Sequence, residues 1–141
     1  MQNINFGIDL GTTNSAIAKY NSGKIMLYKN PVGFKDTLPS VVSFRKGRIQ
    51  IGDKARERLV HNPESVFSSF KRKMGTEEKY HIADNNEETN PMELSAKVLG
   101  ELKNFVTDEP IKSAVITIPA SFDTIQSNAT KKAGYLAGIQ E

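Results

Sequence analysis

Asp9, Gly11, Thr12, Thr13 and Asn14 place a carboxylate, a flexible backbone position and two hydroxyls in one short turn. This set of groups suits a phosphorylated ligand. Backbone N–H groups of a turn form an anion-binding concavity, Gly11 permits close backbone approach, and the Thr12 and Thr13 hydroxyls can donate to phosphate oxygens. Asp9 would face a Mg²⁺ ion through its waters, because magnesium stays largely hydrated and is shared between one or two carboxylates and substrate phosphates. The pattern is neither a Walker loop nor a dinucleotide fingerprint, since it lacks their glycine spacing and leads into a strand. Gly, Thr and Asn also build ordinary hairpins, so these residues alone fit both a phosphate turn and a plain one.

The elements around the turn follow from periodicity. Ile4, Phe6, Ile8 and Leu10 alternate with polar or small residues and predict a strand over residues 4–10. Residues 15–20 and 24–28 predict two more strands around an Asn21-Ser22-Gly23 turn, giving an antiparallel meander. Residues 40–45 and 48–51 predict a hairpin across Lys46-Gly47. Asp53 is expected to cap a short helix through Val60, and Asn62-Pro63-Glu64 to start another carrying Val66, Phe67, Phe70 and Met74. Residues 75–90 are polar and acidic and predict an exposed loop. Asn90-Pro91-Met92-Glu93 opens a long helix with Leu94, Val98, Leu102, Phe105 and Val106 on its core face, ended by Asp108-Glu109-Pro110. Residues 114–118 predict a strand covered on both faces, in mid-sheet and parallel to a neighbour. Asp123 with Gln126 predicts a capping pair for a last helix containing Ile125, Ala129, Ala133 and Leu136, closed by Gly138. Residues 139–141 read as the start of a further strand, as though an α/β unit continued.

Bulk properties narrow the function. The 141 residues are 38% hydrophobic and 25% charged, enough for one core. The formal charge of +3 is spread along the chain, and the basic runs Lys71-Arg72-Lys73 and Lys131-Lys132 lack interleaved aromatics, which argues against a nucleic-acid binder. Without cysteine there is no disulfide, thiolate metal site or Cys nucleophile. No signal-peptide pattern or membrane span is evident, so a cytoplasmic location is expected, with neither nucleic acid nor membrane as partner.

Four stretches carry a resemblance. "GIDLGTTNS" is similar to the first phosphate loop of the actin, sugar-kinase and heat-shock-chaperone superfamily, and its wording is nearest to DnaK-type, seventy-kilodalton heat-shock chaperones. "LPSVVSF", "FKRKMG" and "AVITIPASFDTIQSNATKKAGYLAGI" resemble further segments of that family in the same order. The resemblance implies an α/β fold of ribonuclease-H-like type: a mixed sheet flanked by helices, of which this chain is a fragment, the first lobe of a nucleotide-binding domain. It implies a core subdomain at about 1–38 and 111–141 and a shortened upper subdomain at about 39–110. The implied activity is hydrolysis of ATP to ADP with Mg²⁺, driving an ATP-dependent chaperone through cycles of binding unfolded polypeptide clients. A J-domain co-chaperone and a nucleotide exchange factor are the implied partners, contacted outside this chain, and the fragment alone is expected to be inactive. A sugar-kinase-like member and a non-hydrolysing scaffold are the alternatives.

By the same resemblance Asp9 orders the magnesium and its waters, while Thr12 and Thr13 hold phosphates in a loop shaped by Gly11 and Asn14. Lys71 contacts the γ-phosphate and positions the attacking water; without the resemblance it would be one more solvated lysine. Pro119 relays nucleotide state towards a substrate-binding domain. Ser121 and Ser127 depart from the Tyr and basic residue usual in the family, which bears on the relay. His61 and His81 match no functional position and are expected to be exposed.

Overall fold

The computed structural model describes residues 4–140. β1 (Phe6–Leu10) buries Phe6, Ile8 and Leu10 and turns Asp9 to the opposite, exposed face, as alternation requires. Ile4 precedes the strand and is exposed instead of joining its buried face. β2 (Asn14–Asn21) runs antiparallel to β1, with Ile8 opposite Ile17 and Leu10 opposite Ser15. Ser22 and Gly23, both at positive φ, turn the chain into β3 (Lys24–Leu27). β4 (Leu38–Pro39) then pairs with the first residues of β2.

A second sheet starts immediately after. β5 (Val41–Arg45) and β6 (Arg48–Ile51) form the expected hairpin, whose Lys46 and Gly47 both take positive φ and donate their N–H groups to the Asp84 carboxylate at 2.7 and 2.9 Å. The following helix, α1 (Asp53–Glu57), is capped by Gly52 and stops short of Val60. Asp53 is not the cap: its buried carboxylate bonds the buried Asn30 amide and the exposed Lys35 and Arg56 side chains.

The helix expected from Asn62 does not form. Pro63–Ser65 makes one 3₁₀ turn, β7 (Val66–Ser68) pairs antiparallel with β5, and Phe70–Lys73 makes a second 3₁₀ turn. The reason is tertiary. Pairing Val66 with Ser43 and Phe67 with Val42 sets the Phe67 ring edge-on to Phe44 at 5.8 Å, and Ser69 at φ 55° breaks any continuing helix. Residues 75–90 are likewise more than a loop, because β8 (Tyr80–Ile82) and β9 (Glu87–Thr89) form a hairpin that buries Ile82 and Thr89.

α2 (Pro91–Lys103) starts as predicted, with the Asn90 side chain accepting from the Glu93 N–H at 2.8 Å. It ends at Lys103, before the expected Asp108-Glu109-Pro110 stop, yet Phe105 and Val106 still reach the core. β10 (Val115–Thr117) lies parallel to β1 and completes a mixed sheet of order β10-β1-β2-β3, with β4 attached to β2. It is an edge strand among the described residues, with Val115 56% exposed, so the expected mid-sheet strand covered on both faces is not found.

α3 (Thr124–Leu136) has the full Asp123–Gln126 capping box. It ends in a Schellman turn: Ile139 N–H donates to Gly134 and Gly138 N–H to Tyr135, with Gly138 at φ 90°. Its inward face is Thr130, Ala133 and Gly134, while Ile125 and Leu136 are exposed. Residues 139 and 140 take no strand conformation, and 141 lies outside the described residues. One apolar core joins β1 and β2 to β5 and α2 through Ile8, Leu10, Ile17, Val42, Leu94, Val98 and Leu102. Each such side chain stabilises the fold by about 1.5–3 kcal/mol relative to exposure.

Candidate functional site

The turn between β1 and β2 is held from behind. Leu10 C=O accepts from the Lys71 ammonium, Gly11 C=O from the Ser40 hydroxyl at 2.8 Å, and Thr13 C=O from the Ser40 N–H at 2.9 Å. Three carbonyls therefore point into the protein. The Thr12 and Thr13 N–H groups donate to no other described residue. A turn whose carbonyls are occupied internally and whose amides are not is what an anion-binding concavity requires. Gly11 is obligatory here for a steric reason, since a Cβ at that position would lie 2.0 Å from the Asn14 carbonyl oxygen. Thr13 and Asn14 are exposed, and Gly11 and Thr12 are half-buried.

Asp9 stands beside this turn, paired in the sheet with Ala16 of β2 and Thr117 of β10. The Thr117 hydroxyl lies 3.3 Å from Asp9 Oδ1. Lys71 arrives from the 3₁₀ turn Phe70–Lys73, and at 7% exposure it is buried, unlike its exposed neighbours Arg72 and Lys73. Burial pushes its ammonium below the ordinary lysine value, against the opposing pull of the Asp9 carboxylate. Its Nζ also sits 5.7 Å from the centre of the Phe122 ring, within cation–π range. Lys71 is thus not a solvated member of a basic run.

Sequence-predicted residues Asp9, Gly11, Thr12, Thr13, Asn14 and Lys71 gather at this one end of the sheet. Pro119 does not join them directly. It is exposed in the turn after β10, where its C=O accepts from the Phe122 N–H at 3.0 Å, so Phe122 is the physical link between Pro119 and Lys71. Ser40, Thr117 and Phe122 are the residues of the site that the motifs alone did not single out. Ser121 is exposed and Ser127 half-buried on α3. His61 and His81 are both exposed, as expected.

Among the described residues, no three His, Cys, Asp or Glu side chains gather as a metal cage. A lone carboxylate beside a phosphate-type turn is instead the donor set for a hydrated magnesium ion shared with phosphates. The site's residues fit that group. A hollow of about 940 Å³ lies elsewhere, between Gly75–Lys79, the start of α2 and the Ile125–Lys132 face of α3, and neither Asp9 nor Lys71 lines it. Its lining mixes Glu77, Glu78, Lys79 and Lys132 and carries none of the groups gathered at the turn. Among the described residues no helix is long and apolar enough to cross a membrane.

Known proteins agree with the motifs. The family described as Hsp70 protein matches residues 5–141. The chain is similar to "Chaperone protein DnaK" of Metamycoplasma hominis, 45% identical over 136 residues that make up 94% of this chain and 22% of that protein. It is similar to the protein of the same name from Ureaplasma urealyticum serovar 10, 47% identical over 136 residues, again 94% of this chain and 22% of the relative. To that of Mycoplasmopsis agalactiae it is 44% identical over 137 residues, 95% and 22% of the two chains. The chain spans about a fifth of the length of these curated relatives.

Proposed function

The chain belongs to the Hsp70 family, and on that premise we propose that it is the first lobe of the ATP-hydrolysing domain of a DnaK-type chaperone. The proposed fold is ribonuclease-H-like, with a core subdomain at about 1–38 and 111–141 and an upper one at about 39–110. The observation that carries this reading is the turn itself: carbonyls of Leu10, Gly11 and Thr13 held inward, the Thr12 and Thr13 amides without a partner among the described residues, and Asp9 and Lys71 close by.

The reaction is phosphoryl transfer from ATP to water, in which the protein's work is positioning and charge stabilisation. Amides and hydroxyls of Thr12 and Thr13 bind the phosphates, and Gly11 and Asn14 give the turn its shape. Lys71, restrained by Leu10 and Phe122, presents one positive charge in a fixed place to the transferring phosphate and orients the attacking water. Asp9 is the residue that would hold a hydrated magnesium ion. When bound, magnesium supplies neutralising charge at the phosphate oxygens. Pro119, through Phe122, lies on the route by which nucleotide state would reach a substrate-binding domain. Unfolded polypeptides, a J-domain co-chaperone and a nucleotide exchange factor are the partners of the complete protein, which works in the cytoplasm.

Thr13→Val in the full-length protein tests the assignment. Loss of the hydroxyl should weaken ATP binding about tenfold and slow single-turnover hydrolysis. If affinity and hydrolysis both survive, the turn is not the phosphate site. Phosphate release by the unmodified full-length protein separates an ATPase from a scaffold that only binds nucleotide.

A further inference from the structure

Ser40 makes three contacts and is 2% exposed. Its N–H donates to Thr13 C=O at 2.9 Å, its Oγ donates to Gly11 C=O at 2.8 Å, and its Oγ lies 2.8 Å from Ser15 Oγ. The protons can be assigned. Ser40 has one hydroxyl hydrogen, and Gly11 C=O can only accept, so the Ser40 hydrogen goes to Gly11 and Ser15 must donate to Ser40. The chain of bonds runs from Ser15 Oγ–H to Ser40 Oγ–H to Gly11 C=O, and it is closed off from water because Ser15 is 1% exposed. Ser40 therefore grips the turn on both sides of Thr12.

Its place in the chain is equally specific. Ser40 is the single residue between β4, which pairs with β2 of the first sheet, and β5, the centre of the second. Ser40 is therefore the shortest covalent link between the two sheets.

We propose that Ser40 is a positioning residue for ATP hydrolysis: it sets the orientation of the Gly11–Thr13 turn and couples that orientation to the relative placement of the two sheets. This rests on the reading of the turn as a phosphate site. Because Ser40 acts through Gly11 and Thr13, its effect belongs to the phosphates of the ligand and not to the nucleoside.

The experiment measures affinity of the nucleotide-free full-length protein for ATP with magnesium and for adenosine, with single-turnover hydrolysis and melting temperature alongside. In wild type, ATP must bind tighter than adenosine; equal affinity would sink the phosphate-turn reading, and the Ser40 proposal with it. Given that preference, Ser40→Ala should lower the ATP-to-adenosine affinity ratio about tenfold, with adenosine affinity unchanged. Ser15→Ala keeps the bond from Ser40 to Gly11 and should change the ratio less than about threefold. An unchanged ratio and hydrolysis rate in Ser40→Ala overturns the proposal while leaving the phosphate site standing. Equal losses in the two variants also overturn it, since they would mark a packing effect shared by both serines. If Ser40→Ala does not fold, Ser40→Thr keeps the test alive: retention of at least a third of the wild-type ratio supports the hydroxyl's role, and a tenfold loss overturns it.

Discussion

Lys71, proposed to act on the transferring phosphate, is buried at a cost in stability. Its folded-state value lies below 10.5, mainly through burial, so the native protein binds its proton less well than the unfolded chain does. At neutral pH the lysine is charged in both states and the full penalty is present. As pH rises through the depressed native value towards 10.5, the native lysine loses its proton first and stability gains relative to a variant without the group. Lys71→Met should therefore be at least as stable as wild type at pH 7, although it loses the bond to Leu10, and its advantage should shrink in alkaline buffer. Thermal melts of both nucleotide-free proteins across pH 7–10 check this. A clear drop in melting temperature for the variant at pH 7 would mean that the bond to Leu10 outweighs burial. Single-turnover hydrolysis should fall about a hundredfold or more, with ATP affinity largely kept, because the charge acts chiefly on the transition state.

At the scale of elements, what the sequence made legible was local. Asn90 with Glu93, Asp123 with Gln126 and the terminating Gly138 are motifs whose partners lie within five residues, and each is found where the residues imply it, as is the Lys46-Gly47 hairpin turn. Residues 62–74 failed that logic because Val66 and Phe67 satisfy a helical spacing and a strand pairing equally well, and contact with Ser43 and Val42 decides between them. The β8–β9 hairpin was hidden for a similar reason. Its acidic sequence carries little alternation, and only the burial of Ile82 and Thr89 distinguishes it from a loop. A capping pair that is locally complete should also be locally measurable. Asp123→Ala removes the acceptor for the Gln126 N–H at 2.8 Å and should cost about 1 kcal/mol in urea unfolding. No measurable change would show that α3 is held by packing alone. Gly75, at φ 81°, meets that same end of the helix, where an added Cβ would lie 3.1 Å from Gln126 Cα, so the segment bearing Lys71 and the start of α3 are in close register.

For the whole molecule, the site divides along sequence distance. The turn and Asp9 were legible because they are contiguous, whereas the partners that fix them come from 29 residues away for Ser40, 61 for Lys71 and 108 for Thr117. Lys71 was reached only through a resemblance, and its burial against the turn is a property of the fold. The same logic bears on what this chain can do alone. In the proposed reading the described residues would bring one lysine, one carboxylate and the Thr12–Thr13 donors to one side of a phosphate chain, while phosphoryl transfer needs its charge held from several directions. Beyond them, β10 has no strand on its outer edge among the described residues. Val115, Ile125 and Leu136 are 56%, 65% and 61% exposed, and a separate apolar hollow of about 230 Å³ between β10 and α3 is lined by Ala114, Ile116, Ile118, Tyr135 and Ile139. Surface of that kind is suited to being covered by further protein. We therefore expect the 141-residue chain by itself to release no phosphate from ATP above background, under conditions where the full-length protein turns over. Matching rates would mean that Asp9, Lys71 and the turn suffice for catalysis, and that the exposed face of β10 and α3 has another purpose than completing the site.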